Sequence, residues 1–522
     1  MKSLSQSTID IETQVIKDKN RPSTDFSALG KQILYYVPST LIPAVVGLFS
    51  TVIFTRLFSS EEFGCYSLIV TIVGLFSMMA NQWLQQGINR YLPGRKAKEA
   101  TQELKRAIST SLILVGFIIF VLLIMSIFAG WSFIDTKWKE FLLPASALLL
   151  VTTIFTPLCV VLQADMRAGL YTIYRLVNIV FGFIISLLLV FLLGRQPENL
   201  IIGSTIPMVI MIPILWRSSG MPPLKLGMNQ LRMSLPSVKR LASYGMPMVG
   251  WFTASTLLLY GDRYVIQYFR GASEVGIYSA TSVLVFGGVS LLTSPIILAA
   301  HPFLVRAWDG GNSEKASRWL MVIVESLMVA GMFLTACTAL FAQDFSSAVL
   351  GKSFREGYRI MPILVAAGIT WQIGMYSHKP LEFAGRTGIM SMLCGGAALS
   401  SIFISLIFVP KYGYLAAGYT MFGCNAVYFA TTWWLGRRVL EWNLRPKKIV
   451  IAALVTGIWF VFIGGIRPWI NSTFGNKFGP SLHLAITLLT AFLAFILLLW
   501  PLVKFIADQL RKGKVMGYVT VI

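Results

Sequence analysis

Charge is scarce in this chain. Asp, Glu, Lys and Arg together make up 13% of its 522 residues, about half the density of a soluble globular protein. That scarcity excludes a water-exposed surface over most of the molecule. Histidine is scarcer still. His301, His378 and His483 stand far apart, with no His-x-x-x-His spacing, so the usual metal-ligand patterns are missing and no metal site is expected. The five cysteines, Cys65, Cys159, Cys337, Cys394 and Cys424, lie in or beside apolar runs without Cys-x-x-Cys spacing. They read as small core residues, not as a disulfide framework. Walker-type phosphate loops, nucleophile elbows and Asp-x-Asp pairs are also missing. ATP hydrolysis and glycosyl transfer therefore have no visible machinery, and no catalytic residue or cofactor is assigned.

What is present is apolar length. Hydrophobic residues make up 56% of the chain, the mean hydropathy is +0.71, and apolar runs near 20 residues long recur throughout. A bilayer core of about 30 Å requires helices of that length, whereas outer-membrane barrels are built from alternating segments of about ten. The predicted fold class is an all-α polytopic membrane protein with about 14 transmembrane helices. The spans are expected near 33–54, 64–84, 107–129, 141–163, 173–194, 200–216, 245–267, 276–299, 319–341, 360–380, 388–409, 415–435, 449–466 and 482–503. Six spans (33–216) precede a basic linker (217–244), six follow it (245–435), and two more close the series (449–503). A polar arm (1–32) and a tail (504–522) flank them.

A net charge of +22 in a soluble protein would indicate nucleic acid. Here the basic residues cluster between spans, which is a topology signal, and no folded basic module is left to read DNA or RNA. Of the 44 Lys and Arg residues, 32 fall on the N-terminal side of this topology and 12 on the other. The bias predicts that both termini are cytoplasmic. On the opposite side the longest segment, around 342–359, has fewer than twenty residues, too few for a soluble domain.

One junction occurs twice. Residues 57–68 read LFSSEEFGCYSL and residues 269–280 read FRGASEVGIYSA. At an offset of 212 they share Glu62/Glu274, Gly64/Gly276, Tyr66/Tyr278 and Ser67/Ser279. Each copy lies in the short turn opening its half, and an even number of spans separates them. That predicts two parallel six-helix lobes, related by a pseudo-two-fold axis along the membrane normal. The turn residues themselves read as structural, as helix-start carboxylates, close-approach glycines and interfacial tyrosines.

Several stretches resemble the polysaccharide-export, or Wzx-like, flippases of the multidrug/oligosaccharidyl-lipid/polysaccharide exporter superfamily. They are FTRLFSSEEFGCYSL, YGDRYVIQYFRGASEVGIYSA, LGKSFREGYRIMPILVAAGI, and LEFAGRTGIM followed by IFVPKYGYLAAGYTM; in order they cover about 30–440. The resemblance implies two six-helix lobes around a hydrophilic cavity. It also implies movement of an undecaprenyl-diphosphate-linked oligosaccharide across a bacterial plasma membrane for polysaccharide synthesis. The expected partners are that substrate, membrane lipid, and a polysaccharide polymerase and co-polymerase, with the chain itself a monomer. YLAAGY departs from the family's usual Gly-Ala-Ala order, and no stretch specifies a sugar. Two other classes stay open: a multidrug antiporter of the same superfamily, and a membrane polymerase or ligase, which would be expected to carry a large outer loop.

Drawing a diphosphate-sugar headgroup through hydrocarbon calls for cations and hydroxyls in a wet cavity. Arginine suits a diphosphate through bidentate, charge-assisted hydrogen bonds, and charges within spans are costly enough to be functional candidates. The substrate-binding candidates are Arg90 with Gln86 and Asn89, from the polar stretch NQWLQQGINRYLPG, together with Arg175 and Arg306. Each also has a plain reading as a membrane-edge anchor. Asp262 and Arg263, side by side near the outer end of span seven, either pair with other spans or gate the outer mouth. Glu325, about two turns into span nine, is either a helix-packing partner for an arginine or a proton- or sodium-coupling group.

Overall fold

The computed structural model describes residues 26–93, 98–130, 135–223 and 228–465. The fourteenth expected span, the tail and residues 1–25 of the arm lie outside them. Every regular element among the described residues is helical. The first half comprises α1 (Phe26–Leu57), α2 (Ser60–Tyr91), α3 (Lys98–Gly130), α4 (Thr136–Ala164), α5 (Ala168–Leu193) and α6 (Glu198–Ser218). The second comprises α7 (Met228–Tyr260), α8 (Asp262–Arg270), α9 (Ala272–Asp309), α10 (Ser313–Val349), a 3-10 helix (Lys352–Ile360), α11 (Met361–Ser377), α12 (Lys379–Phe383), α13 (Thr387–Tyr412) and α14 (Tyr414–Gly436). A further helix, α15 (Pro446–Gly465), follows. Ten helices among the described residues are long and apolar enough to cross a bilayer. The side bearing the two repeated turns is called the turn face below, and the side bearing the 217–244 connection the linker face.

Two elements differ from the sequence expectation. Helix α7 begins at Met228, inside the expected linker, because that stretch has its own apolar side: Val238, Leu241 and Ala242 pack into the first-half core. Ser237 donates to Glu103 Oε1 at 2.6 Å and ties this extension to α3. Span seven, expected as one run, breaks at Gly261, where an added Cβ would lie 2.5 Å from Leu257 O. The break restarts the chain as α8 with Asp262 and Arg263 in its first turn. Prolines inside α1 (Pro38, Pro43) and α6 (Pro207, Pro213) stay within continuous helices, as packed membrane helices allow.

The two repeated turns meet each other. A Cβ added at Gly64 would lie 1.9 Å from Ala272 O, and one at Gly276 would lie 1.8 Å from Ser60 O. Ser60 and Ala272 are themselves 212 positions apart, so the contact is reciprocal, each copy offering the same groups to the other. Ser60 Oγ and Ser273 Oγ share a hydrogen bond of 2.6 Å. The turns reach this contact by different chemistry. Ser59 and Glu62 form a capping box: Ser59 N donates to Glu62 Oε2 at 2.8 Å, and Glu62 N to Ser59 Oγ at 3.3 Å. At the equivalent of Ser59 stands Gly271, with φ of +85°, a conformation open to glycine at little cost. Glu274 serves neighbours instead, accepting from Arg270 Nε at 2.8 Å and from Tyr414 N at 3.1 Å, where α14 starts.

Below the turns, α2 packs along α7 to the linker face. A Cβ at Gly245 would lie 1.9 Å from Trp83 O, and one at Gly87 would lie 2.8 Å from Leu241 Cδ2. Beyond them two cation–π contacts interlock. Arg90 lies 5.7 Å from the centre of the Tyr244 ring and Arg240 4.6 Å from that of Tyr91. Such contacts contribute about 0.5–1 kcal/mol each at exposed sites. The seam therefore closes at both ends through small residues. Replacing Ser60 and Ser273 with cysteine is expected to give a disulfide between the halves under mild oxidation, because the Oγ separation of 2.6 Å brings the two Cβ atoms close to bonding range. Peptide mass spectrometry reads it, and a linear product under those conditions contradicts the reciprocal contact.

Candidate functional site

A cavity of about 390 Å³ lies beneath the turn-face seal. Its walls come from α1, α2, α5, α6 and α9, and Arg263 of α8 enters from the second half. Besides Arg263, its polar lining is Ser50, Thr51, Tyr66, Ser67, Asn178, Ser186 and Ser204, with no acidic residue among them. Four hydroxyls are turned away into helix backbone: Ser50 donates to Val46 O at 2.7 Å, Thr51 to Gly47 O at 2.9 Å, Ser186 to Leu200 O at 2.9 Å and Ser204 to Ile201 O at 2.8 Å. The Asn178 side-chain oxygen is buried without a partner.

Arg263 is 6% exposed. Its Nη1 donates to Ser67 Oγ at 3.0 Å and to Thr71 Oγ1 at 2.9 Å, both on α2 across the seam. Its guanidinium stacks 4.8 Å from the centre of the Tyr260 ring, and its Nε has no partner. An arginine so placed loses several kcal/mol of hydration, in order-of-magnitude terms. Two hydroxyls and a ring face replace only part of that, leaving donor capacity for an anion. Asp262 faces the other way. Its Oδ2 accepts from Tyr278 OH inside the second half, while Oδ1 has no partner. Neighbouring residues on a helix point in different directions, so one pair of adjacent charges grips both halves.

The arrangement is not shared by the two copies of the repeat. Subtracting 212 places Asp262 over Ser50 and Arg263 over Thr51, and both of those line the same cavity. The charges are present in one half alone, at positions that are hydroxyls in the other. Sequence comparison of the copies reaches the turns but not these two positions, because they share no residue type.

The other sequence candidates are more dispersed. Arg175 is half-buried on α5 with its Nε unpartnered; it lies three residues before Asn178, one turn nearer the linker face. Gln86 is half-buried, and Asn89 and Arg90 are exposed at the linker-face end of α2, none of them among the cavity lining. Arg306 is half-buried in the last turn of α9. Glu325 is remote from Arg263's cavity lining and accepts four hydrogen bonds from Arg445, through N, Nε and Nη2. Any ion exchange at Glu325 would require this bidentate pair to open.

A buried polar chain on the linker side of the second half has no counterpart in the sequence reading, which treated His378 as isolated. Trp251 Nε1 donates to Tyr428 OH at 3.2 Å, and His378 Nδ1 lies 2.9 Å from the same oxygen. An indole N–H only donates, so the Tyr428 hydroxyl hydrogen is available for Nδ1, and the proton of a neutral His378 sits on Nε2, 3.6 Å from Glu382 Oε2. Spacing gave no signal, because these residues come from three separate helices. A larger cavity of about 970 Å³ lies between α13 and α14. Its lining carries no charge, and Met392 and Tyr419 stand exposed in it, as expected of a lipid-facing groove.

With the fold and cavity described, the comparisons define a class. The chain has the fold of the transporters of the superfamily that includes lipid flippases and multidrug exporters. A solved structure described as lipid II flippase MurJ, inward closed conformation, superposes with a TM-score of 0.70 at 14% identity, covering 90% of this chain and 100% of that one. An inward-facing multidrug resistance MATE family transporter superposes with a TM-score of 0.59 at 13% identity, covering 77% and 94%. An uncharacterized membrane protein of Methanocaldococcus jannaschii is 18% identical over 446 residues, 81% of this chain and 87% of that protein. The family profile described as polysaccharide biosynthesis protein matches residues 29–308. The chain belongs to that family.

Glu325→Ala is expected to lower thermal stability by about 1–2 kcal/mol: the arginine loses a bidentate partner, but its side chain is 42% exposed, so solvent screens much of the loss. A thermal melt in detergent checks this, and an unchanged midpoint would show that the pair contributes nothing.

Proposed function

We propose that the protein is a flippase that moves a lipid-linked oligosaccharide, with the carrier undecaprenyl diphosphate, across the bacterial plasma membrane for polysaccharide assembly. The observation that carries this reading is Arg263: a buried guanidinium with an unpartnered Nε, held by the Ser67 and Thr71 hydroxyls in a cavity whose lining holds no acid, beneath a seal between two halves. A cation among hydroxyls matches a diphosphate, whereas an organic cation would need an acidic lining. Family membership supports the same reading.

Both termini lie in the cytoplasm in this proposal, so the linker face is the entry side and the turn face the exit side. Arg90 and Arg306, near the linker-face ends of α2 and α9, meet the diphosphate first; Arg175 and Asn178 pass it toward Arg263. The cavity of about 390 Å³ is at the low end of the roughly 300–1,000 Å³ typical of ligand pockets. It fits a diphosphate and not an oligosaccharide, so passage requires the halves to part. As they part, Arg263 exchanges Ser67 and Thr71 for the phosphate oxygens, trading neutral acceptors for charged ones. Binding, tilting and release complete the cycle with no covalent step.

Deleting the gene is expected to accumulate lipid-linked repeat units on the cytoplasmic leaflet. Unpolymerised units on the outer leaflet would instead indicate a polymerase. Arg263→Ala is expected to cut flipping at least about tenfold with the protein still in the membrane. Arg263→Lys should recover only part, since an ammonium lacks the planar fork. Full activity of Arg263→Ala would remove the residue from the proposal.

A further inference from the structure

A second cationic pocket opens on the turn face, outside the seal. Its volume is about 640 Å³, and its lining is Thr55, Arg56, Phe58, Ser347, Ala348, Leu350, Gly351, Lys352, Ser353 and Arg355. It spans the two halves: the end of α1 supplies one wall, and the end of α10 with the start of the 3-10 helix supplies the other. The walls are fitted closely. A Cβ at Gly351 would lie 1.8 Å from Thr55 O, and Gly351 N donates to Thr55 Oγ1 at 3.3 Å. Arg56 is anchored by a 3.0 Å hydrogen bond from Nη2 to Ala348 O, which is a neutral partner.

The charge balance of this pocket is unlike its surroundings. Elsewhere on the turn face, Arg270 pairs with Glu274 at 2.8 Å and Arg359 with Glu356 at 3.1 Å. Among the described residues no carboxylate pairs with Arg56, Lys352 or Arg355, and none lines the pocket. The topology expected from the sequence also puts only 12 of the chain's 44 Lys and Arg residues on this side of the membrane. Three cations gathered without a counter-charge repel one another, an energy that a bound anion reverses. Two guanidinium forks, an ammonium, and the hydroxyls of Ser347 and Ser353 form a donor set for a tetrahedral oxyanion with more than one charge.

We propose that this pocket binds a phosphate or diphosphate group at the turn face. The binding stands apart from the central cavity. Only its use, as the place where a translocated headgroup rests before release, depends on the flippase reading. The shared chemistry has two sources, a lipid headgroup and a soluble phosphate, and the experiment separates them.

Inorganic diphosphate titrated into the purified full-length protein in detergent is the first probe, read by isothermal calorimetry. Lys352→Ala/Arg355→Ala is expected to weaken binding at least about tenfold. Both side chains are exposed, and a melting curve confirms that the variant is folded. Arg359→Ala, whose partner is Glu356, should bind as the unchanged protein does. Arg263→Ala separates the two sites: diphosphate binding that survives it but not the double substitution belongs to the turn-face pocket. In a second arm, vesicles containing phosphatidic acid are set against bound diphosphate. Displacement by them and not by phosphatidylcholine vesicles identifies a lipid headgroup, and displacement by orthophosphate alone identifies a soluble anion; both support the site. Equal affinity of the double variant and the unchanged protein overturns it, as does binding of chloride as tight as that of diphosphate, which would mean a diffuse counter-ion cloud. Absence of flipping by the unchanged protein, with this binding intact, would count against the flippase reading alone.

Discussion

The halves touch backbone to backbone, and the rest of the molecule depends on that closeness. Lipid tails are as apolar as leucine, so membrane helices are not driven together by the hydrophobic effect as soluble ones are; they associate by close packing and hydrogen bonds. Gly64 and Gly276 at one end of the seam, and Gly87 and Gly245 at the other, let helix surfaces approach until a single added carbon would collide. Everything polar in the seam is then within reach. Arg263 can span from one half to Ser67 and Thr71 in the other only because α2 lies so near.

Closeness of this kind is also easy to undo. The seam holds by small-residue packing, hydroxyl hydrogen bonds and a few cation–π contacts, each about 1 kcal/mol or less in membrane proteins. By contrast, contacts inside the second half include the Glu325–Arg445 pair and the Trp251–Tyr428–His378 chain, with many donors satisfied at once. The weak contacts lie between halves and the stronger ones within the second, which is the distribution needed for two bodies that move against each other. Asp262 fits this division. Bonded to Tyr278 in its own half, it fixes the start of α8 and so aims the neighbouring arginine.

Much of the fold was legible because hydrophobic length is a long-range property of the chain. Apolar runs near 20 residues mark helices whatever their neighbours, and the twelve expected spans through 415–435 all fall on helical chain, spans seven and ten each divided between two helices. Within the expected linker the helix over 228–244 was not legible, because charge density hid a helical apolar stripe, Val238 and Leu241 among it. The repeat was legible in Glu62/Glu274 and Gly64/Gly276. That the two copies pack on each other was not, since a turn's partner is a fact of three dimensions. At the site, Arg263 and Asp262 were found by the cost of charge in a membrane. Their partners Ser67, Thr71 and Tyr278 escaped notice as functional groups because hydroxyls in spans are common. Likewise His378, Tyr428 and Trp251 come from separate helices, and no spacing connects them.

The contact between the two turns is made by like with like. Ser60 and Gly64 present to the second copy what Ala272 and Gly276 present to the first. An interface of that kind is isologous, the form by which two identical subunits join. One half carries both surfaces and has what it needs at this contact to dimerise with a copy of itself. The linker would then add permanence to an association already encoded in each half. The correspondence is not complete, since Ser50 and Thr51 of one half stand where Asp262 and Arg263 stand in the other. The duplicated turn thus gives one chain the self-complementary surface by which identical subunits join.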